Sequence, residues 1–301
     1  MNKDRIISHF INKDVWHHLR LPFSYFLLPI FCFALSQSRL INTYNAVLVF
    51  IALHFFIYPG SNSYNSYMDK DTGSIGGLKE PPPVTRNIYY ASIVCDCIGL
   101  FISLLINFKM FVLILVYIGV SKAYSWTGIR LKKYTWSGWM VVILFQGGYT
   151  YMLVKMCCDN RFDTGWFTHE NYMGMLMATL LIGGYYPLTQ IYQHREDSER
   201  GDVTISYRLG VMGTFIFSAL LFMAATAVAY FYFNTYYSNS HFFVFVLSLL
   251  PISIYFIYWI AITYQNKQLA DYEHTMRMTL ISSTCMIICF GILFYLNHLI
   301  V

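Results

Sequence analysis

Nine apolar runs follow one another along this chain, each close to the length needed to cross a bilayer, and they restrict its fold more than any motif does. A spanning helix needs about 20 mostly apolar residues. The runs are Leu21–Leu35, Tyr44–Tyr64, Ile88–Ile106, Met110–Tyr124, Trp136–Val154, Met173–Ile191, Val211–Phe233, Phe242–Thr263 and Met278–Leu296. The first and fourth are short and extend into their polar flanks. Segments of this kind satisfy their backbone hydrogen bonds internally, as helices. The expected fold is therefore all-α: a polytopic membrane bundle of about nine transmembrane helices around a central apolar cavity, with residues 1–301 forming a single domain. Charge content agrees. Only 12% of the 301 residues are charged and 57% are hydrophobic, whereas a soluble domain is about a quarter charged. The 26 Tyr and 25 Phe suit interfacial belts and a ring-lined cavity equally.

Several classes drop out. The net charge of +5 reflects loop composition, and no basic patch with interleaved aromatics lies outside the apolar runs, so no nucleic-acid partner is expected; the lipid bilayer is. The seven cysteines show no zinc-type spacing, and most sit inside apolar runs as small filler. The charged N-terminus before Leu21 resembles a signal peptide only superficially, because no small-residue cleavage site follows and another span comes at once.

Lys and Arg in short loops orient the bundle. With the N-terminus inside, four of the 20 basic residues, Arg39, Lys109, Lys155 and Arg161, fall outside and all others inside. A miscount by one helix would destroy this asymmetry. The N-terminus is expected to be cytoplasmic and the C-terminus external, in a multi-pass protein of the cell inner or plasma membrane.

The carboxylates then form a pattern. Asp69, Asp71 and Glu80 lie between the second and third runs, and Glu196, Asp197, Glu199 and Asp202 between the sixth and seventh. Four helices separate these loops, so both fall on one face. In the stretch NSYNSYMDKDTGSIGGLKEPPPV (62–84), Asn65 and Asp69 are four apart and share a helix face. Both are oxygen donors of the type Mg²⁺ prefers. Asp71 joins them only if the helix unwinds after Asp69, which Gly73, Gly76 and Gly77 make feasible. For one Asn/Asp pair alone, a capped, solvated helix end is the better explanation. In TQIYQHREDSERGDVTISYRLG (189–210), Gln193 and Asp197 are four apart, and Arg195 and Arg200 are suited to phosphate oxygens. An end laced with Glu196–Arg200 pairs is the bland alternative. A third stretch, AYSWTGIRLKKYTWSGW (123–139), puts Arg130, Lys132 and Lys133 on the same face. Together, two acidic stretches and one basic stretch at one side of an aromatic-rich bundle form a layout for a magnesium diphosphate at the mouth of an apolar cavity.

At these residues the chain resembles the UbiA superfamily of intramembrane prenyltransferases. Asn65 and Asp69 match the first two positions of its Asn-x-x-x-Asp-x-x-x-Asp motif; Asp197, Gly201 and Thr204 match the second motif; and Tyr124, Ser125, Arg130, Leu131 and Lys132 resemble the family's Tyr-Ser…Arg-Leu-Lys segment. Arg20 and Pro22 are a weaker echo of its entry helix. The resemblance covers nearly the whole chain and includes the nine spans. There are two departures. Gly73 stands where the third carboxylate of the first motif is expected, and Gln193 where the first Asp of the second is, with Asp71 and Glu196 as shifted substitutes.

What the resemblance implies is Mg²⁺-dependent transfer of a prenyl group from a prenyl diphosphate to a hydrophobic acceptor, aromatic or lipid-like, within the membrane. The implied metal set is Asn65, Asp69, Asp71, Gln193 and Asp197. The implied diphosphate set is Arg130, Lys132, Arg195 and Arg200, with Lys70, and Tyr124 bonding a phosphate oxygen; Asp69, Asp197 and Lys132 carry the catalytic role. Two ionisable residues inside spans, His54 and Asp96, are candidates for acceptor contact, against a plain interhelical hydrogen bond. A terpene cyclase of the same superfamily would need no acceptor. A transporter would put its charges near the midplane, and a non-catalytic scaffold would need no such frame.

Overall fold

The computed structural model describes residues 13–298. Among these, the chain is helical throughout, with one isolated bridge between Ile75 and Leu78 and no strand. Eight helices are long and apolar enough to cross a membrane: α1 (Lys13–Ser36), α2 (Thr43–Asp69), α3 (Arg86–Ile106), α4 (Phe108–Ser125), α5 (Thr135–Cys158), α8 (Ile205–Tyr236), α9 (Asn239–Gln265) and α10 (Tyr272–His298). Helix α6 (His169–Leu188) has the length but a more polar sequence, with His169, Glu170 and Asn171 in its first turn. It makes the ninth long helix among the described residues. Between α6 and α8 lies the short α7 (His194–Arg200). The all-helical, multi-pass architecture read from the apolar runs is the one observed. Most helices outrun their predicted segments by about a turn, because hydropathy registers the hydrocarbon stretch and not the polar turns that continue the helix into the headgroup layer.

The chain forms two compact units. Among the described residues, one holds 13–25 and Val47–Lys132, the other Phe26–Ala46 and 133–298. In the first, α2 packs on α3 and α4, and the opening turns of α1 pack on α2 and α3. Its core gathers Val15, Leu19, Ile88 and Ala91 with Tyr67, Val84 and Cys95. Asn107 alone separates α3 from α4. Its extended backbone ends one helix, and its side-chain oxygen accepts from Met110 N at 2.8 Å to cap the next. In the second unit, α6 packs on α8 and on the middle of α5, α9 on α10, and α10 on Leu28–Ser36 of α1. Gly147 permits the α5–α6 contact: a Cβ there would lie 2.8 Å from the Ala178 carbonyl oxygen.

Four long helices depart from regular α geometry, among them α8, which kinks at Gly210 (φ 68°, ψ 173°). Helix α1 breaks at Arg20 (φ 49°) into the 3₁₀ turn Leu21–Leu27, and α2 and α5 carry π turns at Ala52–Ile57 and Ile143–Tyr149. Such turns free backbone groups and collect at functional sites. The π turn of α2 presents His54, whose Nδ1 lies 3.2 Å from Ser24 O, while Ser24 Oγ donates to His54 O at 2.8 Å.

Candidate functional site

The first unit holds the motif built around Asp69. Helix α2 ends there because Lys70 turns left-handed (φ 52°, ψ 42°), its N–H still bonded to Ser66 O. The expected exit after Asp69 is therefore real, but a lysine makes it and not the glycines beyond. Of those glycines only Gly77 has positive φ (84°). The following loop is tied down by Arg20, which donates to Gly76 O at 3.1 Å and to Asn62 O at 3.0 Å. In the sequence Arg20 is only an echo of an entry helix; its two carbonyl bonds make it the clamp of the loop.

The Asp69 carboxylate is the electrostatic centre of this unit. Its side chain is 3% exposed, Lys132 Nζ is bonded to Oδ2, and Arg130 Nη1 stands 3.3 Å from Oδ1. Asn65 Nδ2 donates to Asp69 Oδ2 and to Ser125 Oγ, both at 2.9 Å. The basic stretch and the first acidic one, separated by more than 60 residues, are thus one cluster. Arg130 reaches it from a left-handed turn (φ 48°), and Lys132 from the 3₁₀ turn Leu131–Lys133. Asp71 is half-buried, Lys70 is exposed, and Tyr124 sits half-buried in the last turn of α4. Asp96 lies against Lys122 with Oδ2 and Nζ 2.7 Å apart. Ser125 and Lys122 are site residues that the sequence does not single out. Ser125 is one member of a longer matching segment, and Lys122 reads as an ordinary inside-loop charge.

The second motif belongs to the other unit. Helix α6 ends at Leu188, and a 3₁₀ turn (Ile191–Gln193) leads into α7. Gly201, in the left-handed region at φ 72°, closes α7 and turns the chain back, so that Asp202 N bonds Asp197 O at 2.9 Å. Thr204 begins α8: its hydroxyl accepts from Tyr207 N at 3.3 Å and donates to Asp197 Oδ2 at 3.1 Å. The spacing of Asp197, Gly201 and Thr204 has a physical basis: reversal at the glycine brings the cap residue onto the carboxylate. Val203 fastens this turn to the start of α5, accepting from Thr135 Oγ1 at 2.7 Å. Asp197 is buried and Gln193 half-buried.

The charged residues of α7 divide. Arg200 pairs with Glu196 at 3.2 Å, both about a quarter exposed, while Arg195 pairs with Glu199 at 2.9 Å with its side chain 90% exposed. Arg195 and Asp197 are two apart and occupy opposite faces of the helix. The structure therefore does not bring Arg195 to the buried carboxylate. His194, half-buried with Nε2 2.7 Å from Ser206 Oγ, has its pKa lowered by desolvation.

Among the described residues, no three His, Cys, Asp or Glu side chains are gathered as a metal site. The donor set still fits magnesium. Mg²⁺ is commonly held by one or two carboxylates plus substrate phosphate and water, without an all-protein cage, and Asp69 is a buried carboxylate already held among cations. An apolar cavity of about 80 Å³, in the second unit, is walled by Phe26, Leu181, Tyr185, Phe222, Ile252 and Met286 among others.

Comparison with known proteins adds the family. The profile described as the UbiA prenyltransferase family matches residues 26–282. A comparison with curated proteins returned no match. Among solved structures, the chain is similar to a UbiA homolog from Aeropyrum pernix K1 in its apo form, at TM-score 0.68 and 15% identity over 93% of this chain and 99% of that one. It is also similar to a UbiA homolog from Archaeoglobus fulgidus bound to GPP and Mg²⁺, at TM-score 0.65 and 15% identity over 94% and 99% of the two chains. A digeranylgeranylglyceryl phosphate synthase gives TM-score 0.56 at 15% identity, over 92% and 98%. At these identities the structural likeness is one of fold.

Proposed function

The chain belongs to the UbiA prenyltransferase family, and from that premise we propose that it transfers a prenyl group from a prenyl diphosphate to a hydrophobic acceptor, aromatic or lipid-like, inside the membrane. The observation that carries this reading is the buried Asp69 carboxylate held by Lys132, Arg130 and Asn65. A carboxylate with two cations on it is poised for exchange. Lys132 and Arg130 would bind phosphate oxygens when a diphosphate enters, leaving the Asp69 carboxylate as a group that would hold a metal ion. Charge-assisted bonds of this type are the strong ones available to a protein.

In this reading Asn65, Asp69 and Asp71 would hold magnesium in the first unit, and Gln193 and Asp197 would do so in the second. A magnesium ion held by these residues would supply positive charge against that building on the departing diphosphate. In the first unit Lys132 and Arg130 bind phosphate oxygens and Tyr124 donates to one; in the second Arg200 takes that part. Arg195 is left out of this set, because its guanidinium is nine-tenths exposed and bonded to Glu199. Thr204 holds one Asp197 oxygen in place. Aromatic faces keep water from an allylic cation and stabilise it. His54 is the candidate for acceptor contact. The whole chain acts as one prenyltransferase domain, with the loops bearing Lys79, Lys132 and Arg200 on the cytoplasmic side.

The test is to incubate the purified protein with labelled geranyl diphosphate, magnesium and a lipid extract, and to identify the product. A prenylated lipid or aromatic product that disappears with EDTA supports the proposal. Intact diphosphate under all conditions refutes it, and conversion to a hydrocarbon with no acceptor present would replace transfer by cyclisation.

A further inference from the structure

We propose that Asp96 and Lys122 form a positioning pair that fixes the Asn65 amide and thereby sets the metal affinity of the first motif; this rests on the reading of Asn65 and Asp69 as magnesium ligands. Both residues lie within spans, Asp96 midway along α3 and Lys122 in the last turn of α4. Their side chains are 8% and 17% exposed, and Oδ2 and Nζ are 2.7 Å apart. The ammonium also donates to Ser92 Oγ and stands 4.1 Å from the centroid of the Tyr64 ring. A carboxylate, a hydroxyl and an aromatic face thus surround one charge, and α2, α3 and α4 each supply a wall. Gly60 lets α2 come this close: a Cβ there would meet Asp96 Oδ1 at 3.0 Å and Cys95 Cβ at 3.1 Å.

A buried ion pair is a poor device for stability, since apolar residues of the same volume do as well or better. Its use is to specify one arrangement over its neighbours, and here the arrangement leads to the motif. Lys122 O accepts from Trp126 N at 2.7 Å, which closes α4 and sets the position of Ser125, its last residue. Ser125 Oγ accepts from Asn65 Nδ2. The residue before Asn65 is Tyr64, whose ring lies under the same ammonium. Lys122 therefore bears on Asn65 from two sides. Asp69, an acceptor only, requires the NH₂ end of the Asn65 amide, and Ser125 takes the second of its two hydrogens. Oδ1 is left as the amide's remaining acceptor, which is the atom a hard cation needs. Loosening Lys122 frees Ser125 and lets the amide rotate.

The test reads metal binding directly. Mn²⁺ is titrated into the detergent-solubilised protein with geranyl S-thiodiphosphate present, and free ion is followed by its electron paramagnetic resonance signal. Asp96→Leu combined with Lys122→Met replaces the pair with apolar side chains and avoids a stranded charge. It is expected to weaken Mn²⁺ binding by about ten-fold, the usual effect of losing a supporting partner of a metal ligand. Ser125→Ala should weaken it in the same direction, and adding it to the double variant should cost little more, because both act through Asn65. Lys122→Arg keeps the pair and should retain most of the affinity. If the double variant does not fold, Lys122→Gln carries the same titration. Wild-type affinity in the double variant, alongside an Asp69→Asn protein that has lost binding, would overturn the positioning role alone. Asp69→Asn binding Mn²⁺ as well as wild type would overturn the metal reading beneath it.

Discussion

Replacing Asp69 with alanine should do more than abolish turnover; it should destabilise the protein. This carboxylate is the counter-charge for two cations that have little other access to water. Its side chain is 3% exposed, that of Lys132 10% and that of Arg130 15%. Truncating one partner of a buried ion pair costs about 3–5 kcal/mol, because the other charge is left uncompensated. Here two cations are stranded, though Arg130 stands at 3.3 Å and is the more exposed, so the lower half of that range is the expected loss. Asp69→Asn should lose less, since an amide oxygen still accepts from Lys132. Asp69→Leu with Lys132→Met should recover part of the stability and none of the activity, because it removes the more buried of the two cations together with its partner and leaves Arg130. The assay is chemical unfolding in detergent micelles for wild type and the three variants. Asp69→Ala unfolding within about 0.5 kcal/mol of wild type, the range of an ordinary surface change, would show that the cations do not depend on Asp69. The exchange step proposed for Lys132 and Arg130 would then lose its basis.

Asp71 is expected to take the part of the carboxylate absent at Gly73: Asp71→Asn should raise the magnesium concentration for half-maximal activity, and Gly73→Asp added to it should recover part of the loss; unchanged magnesium dependence in Asp71→Asn would refute this. Thr204→Val removes both the α8 cap and the hydroxyl bond to Asp197, and should lower stability by about 1–2 kcal/mol as well as activity, measured by unfolding and turnover. Burial holds the His194 pKa below its ordinary value of 6.5, so between that value and the lowered one the unfolded chain binds a proton that the folded chain does not. Stability should therefore be whole above about pH 6.5 and decline as the pH falls through that window, and His194→Asn should flatten the decline in melting curves at successive pH values.

The fold is legible in the sequence because lipid imposes a crude and exacting rule. A run such as Phe242–Thr263 has no structure open to it but a spanning helix, and α9 duly covers it. Less visible is the run that becomes α6. Its glycines, tyrosines and His169–Asn171 dilute hydropathy, so the count of nine rests on its length and on the basic-residue asymmetry more than on apolarity. Helix irregularities are hidden for a different reason. The π turn around His54 and the break at Arg20 arise from how residues far apart pack, such as Ser24 against His54, and local propensity carries no trace of that.

The site is legible to the extent that its chemistry is local in sequence. Asn65 and Asp69 share a helix face, and Gly201 is the residue a left-handed turn asks for. What local patterns miss is the balance of charges between helices. Taken singly, Asp96 is a lone acid in a span and Lys122 a lone base at a span's end. A charge inside a membrane segment is expensive enough to demand a partner, and one acid and one base on consecutive helices, joined by a single-residue turn at Asn107, are each other's nearest solution. The same balance matches Asp69 with Lys132 and Arg130, since a carboxylate at a span's end on the basic face needs cations from that face. It also separates the arginines of α7. Arg195 and Arg200 look alike as phosphate ligands, yet each has a glutamate four residues away, and only the face of the helix decides which pair is exposed. Face follows from Asp197, the buried position: two residues from it points outward, three residues lies alongside. The structure has Arg195 at 90% and Arg200 at 23% side-chain exposure, the order that spacing requires.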